Sequence, residues 1–83
     1  MKRLISFCAF FLLWAHIAMA AVNINTADQK TLETLPGIGV AKASAIITYR
    51  TENGKFTSVN ELTRVKGIGQ KLLVTIQDQI EVK

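Results

Sequence analysis

Beyond residue 20, apolar positions recur at helical spacing in four short runs separated by glycine-containing breaks. The first run predicts a helix over about residues 27–34, with Ala27, Leu32 and Leu35 facing inward. Thr26 and Gln29 stand three apart as a capping box at its start, and Pro36 ends it. The second run predicts a helix from Val40 to about Glu52. Ala43, Ile46, Ile47 and Arg50 follow the i, i+3, i+4, i+7 spacing of one face, and the small Ala43 allows a close helix crossing. Asn53-Gly54 stops that helix with a glycine in a left-handed position, and Phe56 folds back over its end. A second capping box, Ser58 to Glu61, opens a third helix with Val59, Leu62 and Val65 inward. The fourth helix, about residues 70–78, turns Leu72, Leu73, Ile76 and Ile80 inward. Val22-Asn23-Ile24-Asn25 reads as an extended lead-in and Ile80-Glu81-Val82 as a short extended tail.

The breaks repeat as well. Leu35-Pro36-Gly37-Ile38-Gly39 returns thirty residues later as Val65-Lys66-Gly67-Ile68-Gly69, and Leu32 falls opposite Leu62, Ile46 opposite Ile76. A fixed period of this kind marks one supersecondary unit used twice. Pro36-Gly37 suits the centre of a type II turn, because proline presets φ and glycine supplies the positive φ that follows. Gly39 then falls where a helix begins. A residue without a side chain there opens the first helical N–H groups to an outside partner, and the helix dipole favours an anion, most often phosphate. One such hairpin alone is no more than a turn between packed helices; two copies at matched spacing, each followed by lysine, favour a phosphate site. The expected architecture is therefore all-α, two helix-hairpin-helix units packed about a pseudo-two-fold axis. Most Ile and Leu residues are needed for that small core.

The first twenty residues have another character. Lys2 and Arg3 precede a nearly uniform apolar stretch from Leu4 to Ala15, and Ala18-Met19-Ala20 fits the small-x-small rule for cleavage before Ala21. The apolar run breaks at His16, short of the roughly 20 residues a membrane span needs. The reading is a cleavable signal peptide over residues 1–20 and one domain over residues 21–83, without stable membrane insertion of the mature chain. An uncleaved anchor is the competing reading.

Charge and residue chemistry narrow the function. The chain of 83 residues carries +4; removing Lys2 and Arg3 with the leader leaves eight basic and six acidic residues, net +2. Bulk charge that mild does not argue for nucleic acid, but its placement does: Arg64, Lys66 and Lys71 surround the second hairpin with no acidic residue between them, while Lys42 alone follows the first. The only Cys and the only His, Cys8 and His16, lie in the leader. A mature chain without them has no Ser-His or Cys-His pair and no ordinary zinc site, and its carboxylates show no metal-binding spacing. The expectation is a binding protein with no catalytic residues, no metal and no cofactor.

Asn23-Ile24-Asn25-Thr26-Ala27, the first hairpin, Ile46-Ile47-Thr48-Tyr49-Arg50, Asn53-Gly54-Lys55-Phe56 and the second hairpin occur in the order found in ComEA-type competence DNA receptors of the helix-hairpin-helix superfamily. The chain resembles that family over essentially all of its mature length. The resemblance implies an exported protein that binds double-stranded DNA without sequence preference and holds incoming DNA in the periplasm during natural transformation. DNA-uptake machinery at the outer or inner membrane is the further partner it implies. Carried over by position, Gly37, Ile38 and Gly39, then Gly67, Ile68 and Gly69, offer backbone to phosphates, and Lys42, Arg64, Lys66 and Lys71 supply charge. Lys66 stands where the first copy has Pro36, which loosens the turn but adds a cation.

Paired hairpins that read phosphates are indifferent to base sequence. Tyr49 and Phe56 are the only aromatics of the mature chain, too few for a single-strand stacking platform, so duplex is favoured. Superfamily members that hold a monovalent cation on hairpin carbonyls leave that option open here. Two other readings stand beside DNA capture. One is an exported helix-hairpin-helix protein-interaction module, as in an extrinsic subunit of photosystem II. The other is the accessory domain of a secreted nuclease.

Overall fold

The computed structural model describes residues 20–83. The expected export signal therefore lies outside the described residues, apart from Ala20. The order of elements is β1 (Val22–Asn23), α1 (Gln29–Leu32), α2 (Val40–Asn53), a 3₁₀ helix (Val59–Arg64), α3 (Gln70–Ile76) continued by a 3₁₀ turn (Gln77–Gln79), and β2 (Ile80–Glu81).

The apolar spacing translates directly into the core. Leu32, Leu35, Ile38, Ala43 and Ile46 are buried, and so are Leu62, Val65, Ile68, Leu73 and Ile76 at the same offsets thirty residues on. Ile24, Phe56 and Ile80 complete the cluster, and among the described residues no polar or charged one is buried with it. Each such aliphatic side chain contributes about 1.5–3 kcal/mol when fully removed from water. Ile47 is only partly buried at the edge of the α2 face, and Arg50 beside it donates from Nη1 to the Ile24 carbonyl at 3.0 Å.

Both helix starts in the first half of each repeat differ from the expected capping boxes. The N-cap of α1 is Asp28, whose carboxylate accepts from the Thr31 N–H at 2.9 Å, and Thr26 lies upstream in a turn. That turn is fixed by Asn23, whose carbonyl accepts from the Thr26 and Ala27 N–H groups and whose side chain accepts from the Asn25 N–H. An ionised carboxylate at the helix start also meets the dipole, which a threonine does not. At the third helix, Ser58 makes no side-chain cap; Glu61 reaches back past it to the Thr57 N–H at 3.0 Å and hydroxyl at 2.6 Å. The segment winds as a 3₁₀ helix throughout. Gly54 ends α2 with φ +86° and ψ −176°, a positive φ but not the left-handed helical pair of angles.

The extended ends are paired with each other. β1 and β2 form a parallel two-strand ladder, Val22 opposite Ile80 and Asn23 opposite Glu81, and the Ile24 N–H donates to the Glu81 carbonyl at 3.1 Å. Asn25 then clips the chain across: its Oδ1 accepts from the Phe56 N–H at 2.7 Å, and its Nδ2 donates to the carbonyls of Phe56 (3.1 Å) and Lys83 (3.3 Å). Phe56 lies over the end of α2 as expected, stacked on Tyr49 with centroids 5.2 Å apart.

Candidate nucleic-acid interface

The two hairpins have the same backbone. In each, the fourth residue closes a turn on the first, Ile38 N–H to the Leu35 carbonyl and Ile68 N–H to the Val65 carbonyl, both at 3.1 Å. The third position carries positive φ, +81° at Gly37 and +91° at Gly67, as a type II turn requires. Gly39 and Gly69 differ in kind. Their φ values, −96° and −98°, suit any residue, and a Cβ added to either meets nothing within 4 Å. The fold does not need glycine at these two positions. Their effect is to leave backbone bare toward solvent.

Behind each bare glycine stands a helix without a side-chain cap. The first bond of α2 runs from the Ala43 N–H to the Gly39 carbonyl at 2.9 Å, and that of α3 from the Leu73 N–H to the Gly69 carbonyl at 3.1 Å. The N–H groups of Val40, Ala41 and Lys42, and of Gln70, Lys71 and Leu72, precede those bonds and have no intrahelical acceptor. Helix α1, by contrast, has its own carboxylate cap.

Ile38 and Ile68 must be removed from the candidate ligands. Their side chains are about 3% exposed in the core, and their N–H groups are spent on the turns. The repeated isoleucine holds each hairpin to the core.

The remaining candidates divide into two grooves, except Gly39, which lines neither. Gly37, Gly67, Gly69, Lys42 and Lys71 line one open groove together with Leu72 and Thr75. Both hairpins contribute to it, and among the described residues no carboxylate lines it. Arg64 and Lys66 face elsewhere, across the outer surface of α2 at Ala41, Ser44, Ala45 and Thr48. The run of basic residues around the second hairpin is thus not one patch. Lys42, which follows the first hairpin in sequence, lies nearest the second: a Cβ on Gly67 would meet its Cγ at 3.7 Å. Among the described residues, none of these four cations is within ion-pair distance of a carboxylate. Sequence spacing carries no signal for Ser44, Thr48 or Thr75, which enter the grooves through packing alone.

This paired-hairpin architecture has relatives of known class. Residues 18–81 match the family model of the helix-hairpin-helix motif, and the chain belongs to that family. It is 48% identical over 64 residues to ComE operon protein 1 of Bacillus subtilis, which agrees with the ComEA-type resemblance; the match covers 77% of this chain and 31% of that protein. An uncharacterized protein of Haemophilus influenzae is 41% identical over 71 residues, covering 80% of this chain and 63% of its own. Human endonuclease/exonuclease/phosphatase family domain-containing protein 1 is 41% identical over 59 residues, 71% of this chain but 10% of that protein. The chain thus spans less than two thirds of each of these relatives.

Proposed function

We propose that the chain is an exported, non-catalytic protein that captures duplex DNA through its phosphates, without sequence preference, as part of DNA uptake in natural transformation. One observation carries the reading: Gly39 and Gly69, where the fold has no use for glycine, bare two uncapped helix starts, and Gly69 does so in a groove lined by Lys42 and Lys71 and, among the described residues, by no carboxylate. Membership of the helix-hairpin-helix family and the similarity to a ComE operon protein support it. We further read the domain as two units about a pseudo-two-fold axis. In support, a Cβ on Gly37 would meet Leu72 and one on Gly67 would meet Lys42, a reciprocal pair at the thirty-residue offset. Periplasmic location is proposed from residues 1–20, and intact mass of periplasmic material should give a chain beginning at Ala21.

Binding by two hairpins at about two phosphates each predicts that log K falls with log salt at a slope near −3.6. Titration with random-sequence duplex at several salt concentrations tests this. Shuffled sequence should change affinity little, and single strands of equal length should bind more weakly. A flat salt response, or no duplex binding at low salt, would reject DNA capture in favour of a protein-interaction module.

A further inference from the structure

The end of α2 carries a chemistry that DNA capture does not use. Of the asparagines Asn23, Asn25, Asn53 and Asn60, only Asn53 precedes a glycine. In an Asn-Gly pair the glycine nitrogen can attack the asparagine side-chain amide, because no side chain on the second residue crowds the five-membered ring that forms. Asn53 and Gly54 are both exposed, and a Cβ added to Gly54 would meet nothing within 4 Å. Water and the ring therefore both have room.

The closed fold keeps the two reacting groups occupied. The Gly54 N–H donates to the Arg50 carbonyl at 3.0 Å, and Asn53 Nδ2 donates to the Tyr49 carbonyl at 3.0 Å. The proton that must leave is thus held in the last turn of α2, and the leaving amide is bound to the same turn. Beyond Gly54 the chain is pinned at Phe56, whose N–H donates to Asn25 Oδ1 at 2.7 Å and whose ring stacks on Tyr49. Asn25 therefore resists release of the turn from the far side of the glycine. Helix ends open locally at much lower free energy than the whole domain unfolds.

We propose that Asn53-Gly54 is a self-modifying site, converted to aspartate and isoaspartate at a rate set by local opening of the last turn of α2. Hydroxide takes the Gly54 N–H proton, and the nitrogen bonds to Asn53 Cγ. The Cγ–Nδ2 bond breaks, and ammonia leaves after taking a proton from water. Water then adds to either carbonyl of the ring and one C–N bond breaks, leaving a carboxylate with no redox change. That carboxylate stands at a helix C-terminus, where the dipole disfavours an anion, and it replaces the donor to Tyr49. Isoaspartate also adds a methylene to the main chain beside the Arg50 bond. Each conversion loosens the turn that had held the site closed.

Incubation of the purified protein in mildly alkaline buffer, followed by peptide mapping by mass and an isoaspartate assay, tests this. An unfolded synthetic peptide of residues 49–58 gives the unprotected rate. The folded protein should convert at Asn53, and not at Asn23, Asn25 or Asn60, roughly tenfold or more slowly than the peptide. Its rate should be nearly flat in urea below the unfolding transition, because opening one turn exposes little surface. Asn25→Ala should speed conversion roughly fivefold or more, and the urea arm needs only the wild type should that variant fail to fold. Asn53→Asp should melt below the wild type. The proposal is overturned by a folded rate equal to that of the peptide, or by no conversion while the peptide reacts to completion. A rate that climbs steeply with urea, an Asn25→Ala rate equal to the wild type's, or an Asn53→Asp melt equal to the wild type's overturns it as well.

Discussion

The four hairpin glycines should separate cleanly under substitution by alanine, two as stability mutants and two as binding mutants. At Gly67 the backbone has φ +91°, a conformation that costs an L-residue about 1–2 kcal/mol. The Lys42 contact at 3.7 Å is ordinary and adds nothing. At Gly37 a similar φ cost is joined by a Cβ only 2.7 Å from Leu72 Cδ1, so that side chain must move as well. At Gly39 and Gly69 φ is negative and the space is open, so the change restricts the unfolded chain without straining the fold. That gain is offset by alanine being a poorer N-cap, and the net should lie within about 0.5 kcal/mol of zero.

For a domain of this size, 1 kcal/mol moves Tm by about 4–8 °C. Thermal melts should therefore rank Gly37→Ala lowest, Gly67→Ala next, and Gly39→Ala and Gly69→Ala near the wild type. Titration with duplex should show the last two weakened despite intact folding, because a methyl group on the bare backbone holds phosphate away from the amides. Equal melting losses at all four sites would refute the geometric distinction. Stable Gly39→Ala and Gly69→Ala proteins that bind duplex like the wild type would refute the role given to the bare glycines.

Three further outcomes are expected. Lys71→Ala and Lys42→Ala should each weaken duplex binding and reduce the salt slope by about 1, while changing stability by no more than about 0.5 kcal/mol, as melts alongside the titrations will check. Hydrogen bonds from Thr31 hold the Asp28 carboxyl below its ordinary range, and those from Thr57 do the same for Glu61. Because the folded state lowers both, their stabilisation is complete above the ordinary range and is lost as pH falls through the lowered values. Denaturant melts should weaken from about pH 5 downward, and Asp28→Asn with Glu61→Gln should flatten that dependence. Asn25→Ala should cost about 1–3 kcal/mol, seen as a lower Tm, because it strands the N–H of Phe56, a residue only about 2% exposed.

What could be read from the sequence was what repeats locally. The turn glycines, the span of α2 and the buried pairs at a thirty-residue offset all follow from spacing within a unit. The capping residues were harder. Thr26 with Gln29 has the spacing of a helix start, and the Asn23 turn, which turns the chain before Ala27, moves the cap on to Asp28. Ile38 and Ile68 lie inside the signature itself, and sequence alone does not separate them from the glycines; burial shows that the signature mixes core and surface positions. The parallel pairing of Val22–Asn23 with Ile80–Glu81 joins the two ends of the domain through strands of two residues. Strands that short have no periodicity of their own to read.

The partition of the cations follows from the same limit, and it has a consequence for what the minimal binding unit can be. Sequence neighbourhood attaches Lys42 to Gly39 and Lys66 to Gly69, whereas packing sets Lys42 against Gly67 and puts Lys66 in a groove with the outer face of α2. Gly37 likewise abuts Leu72 of α3, so each hairpin lies against the helix that follows the other hairpin. One helix-hairpin-helix unit alone would leave an apolar face bare on one side and a hairpin without its facing helix on the other. On the proposed DNA-capture reading, the second hairpin therefore does more than add a second set of phosphate contacts. It closes the core that fixes both hairpins, and the same packing brings charge from one half of the chain to the backbone of the other.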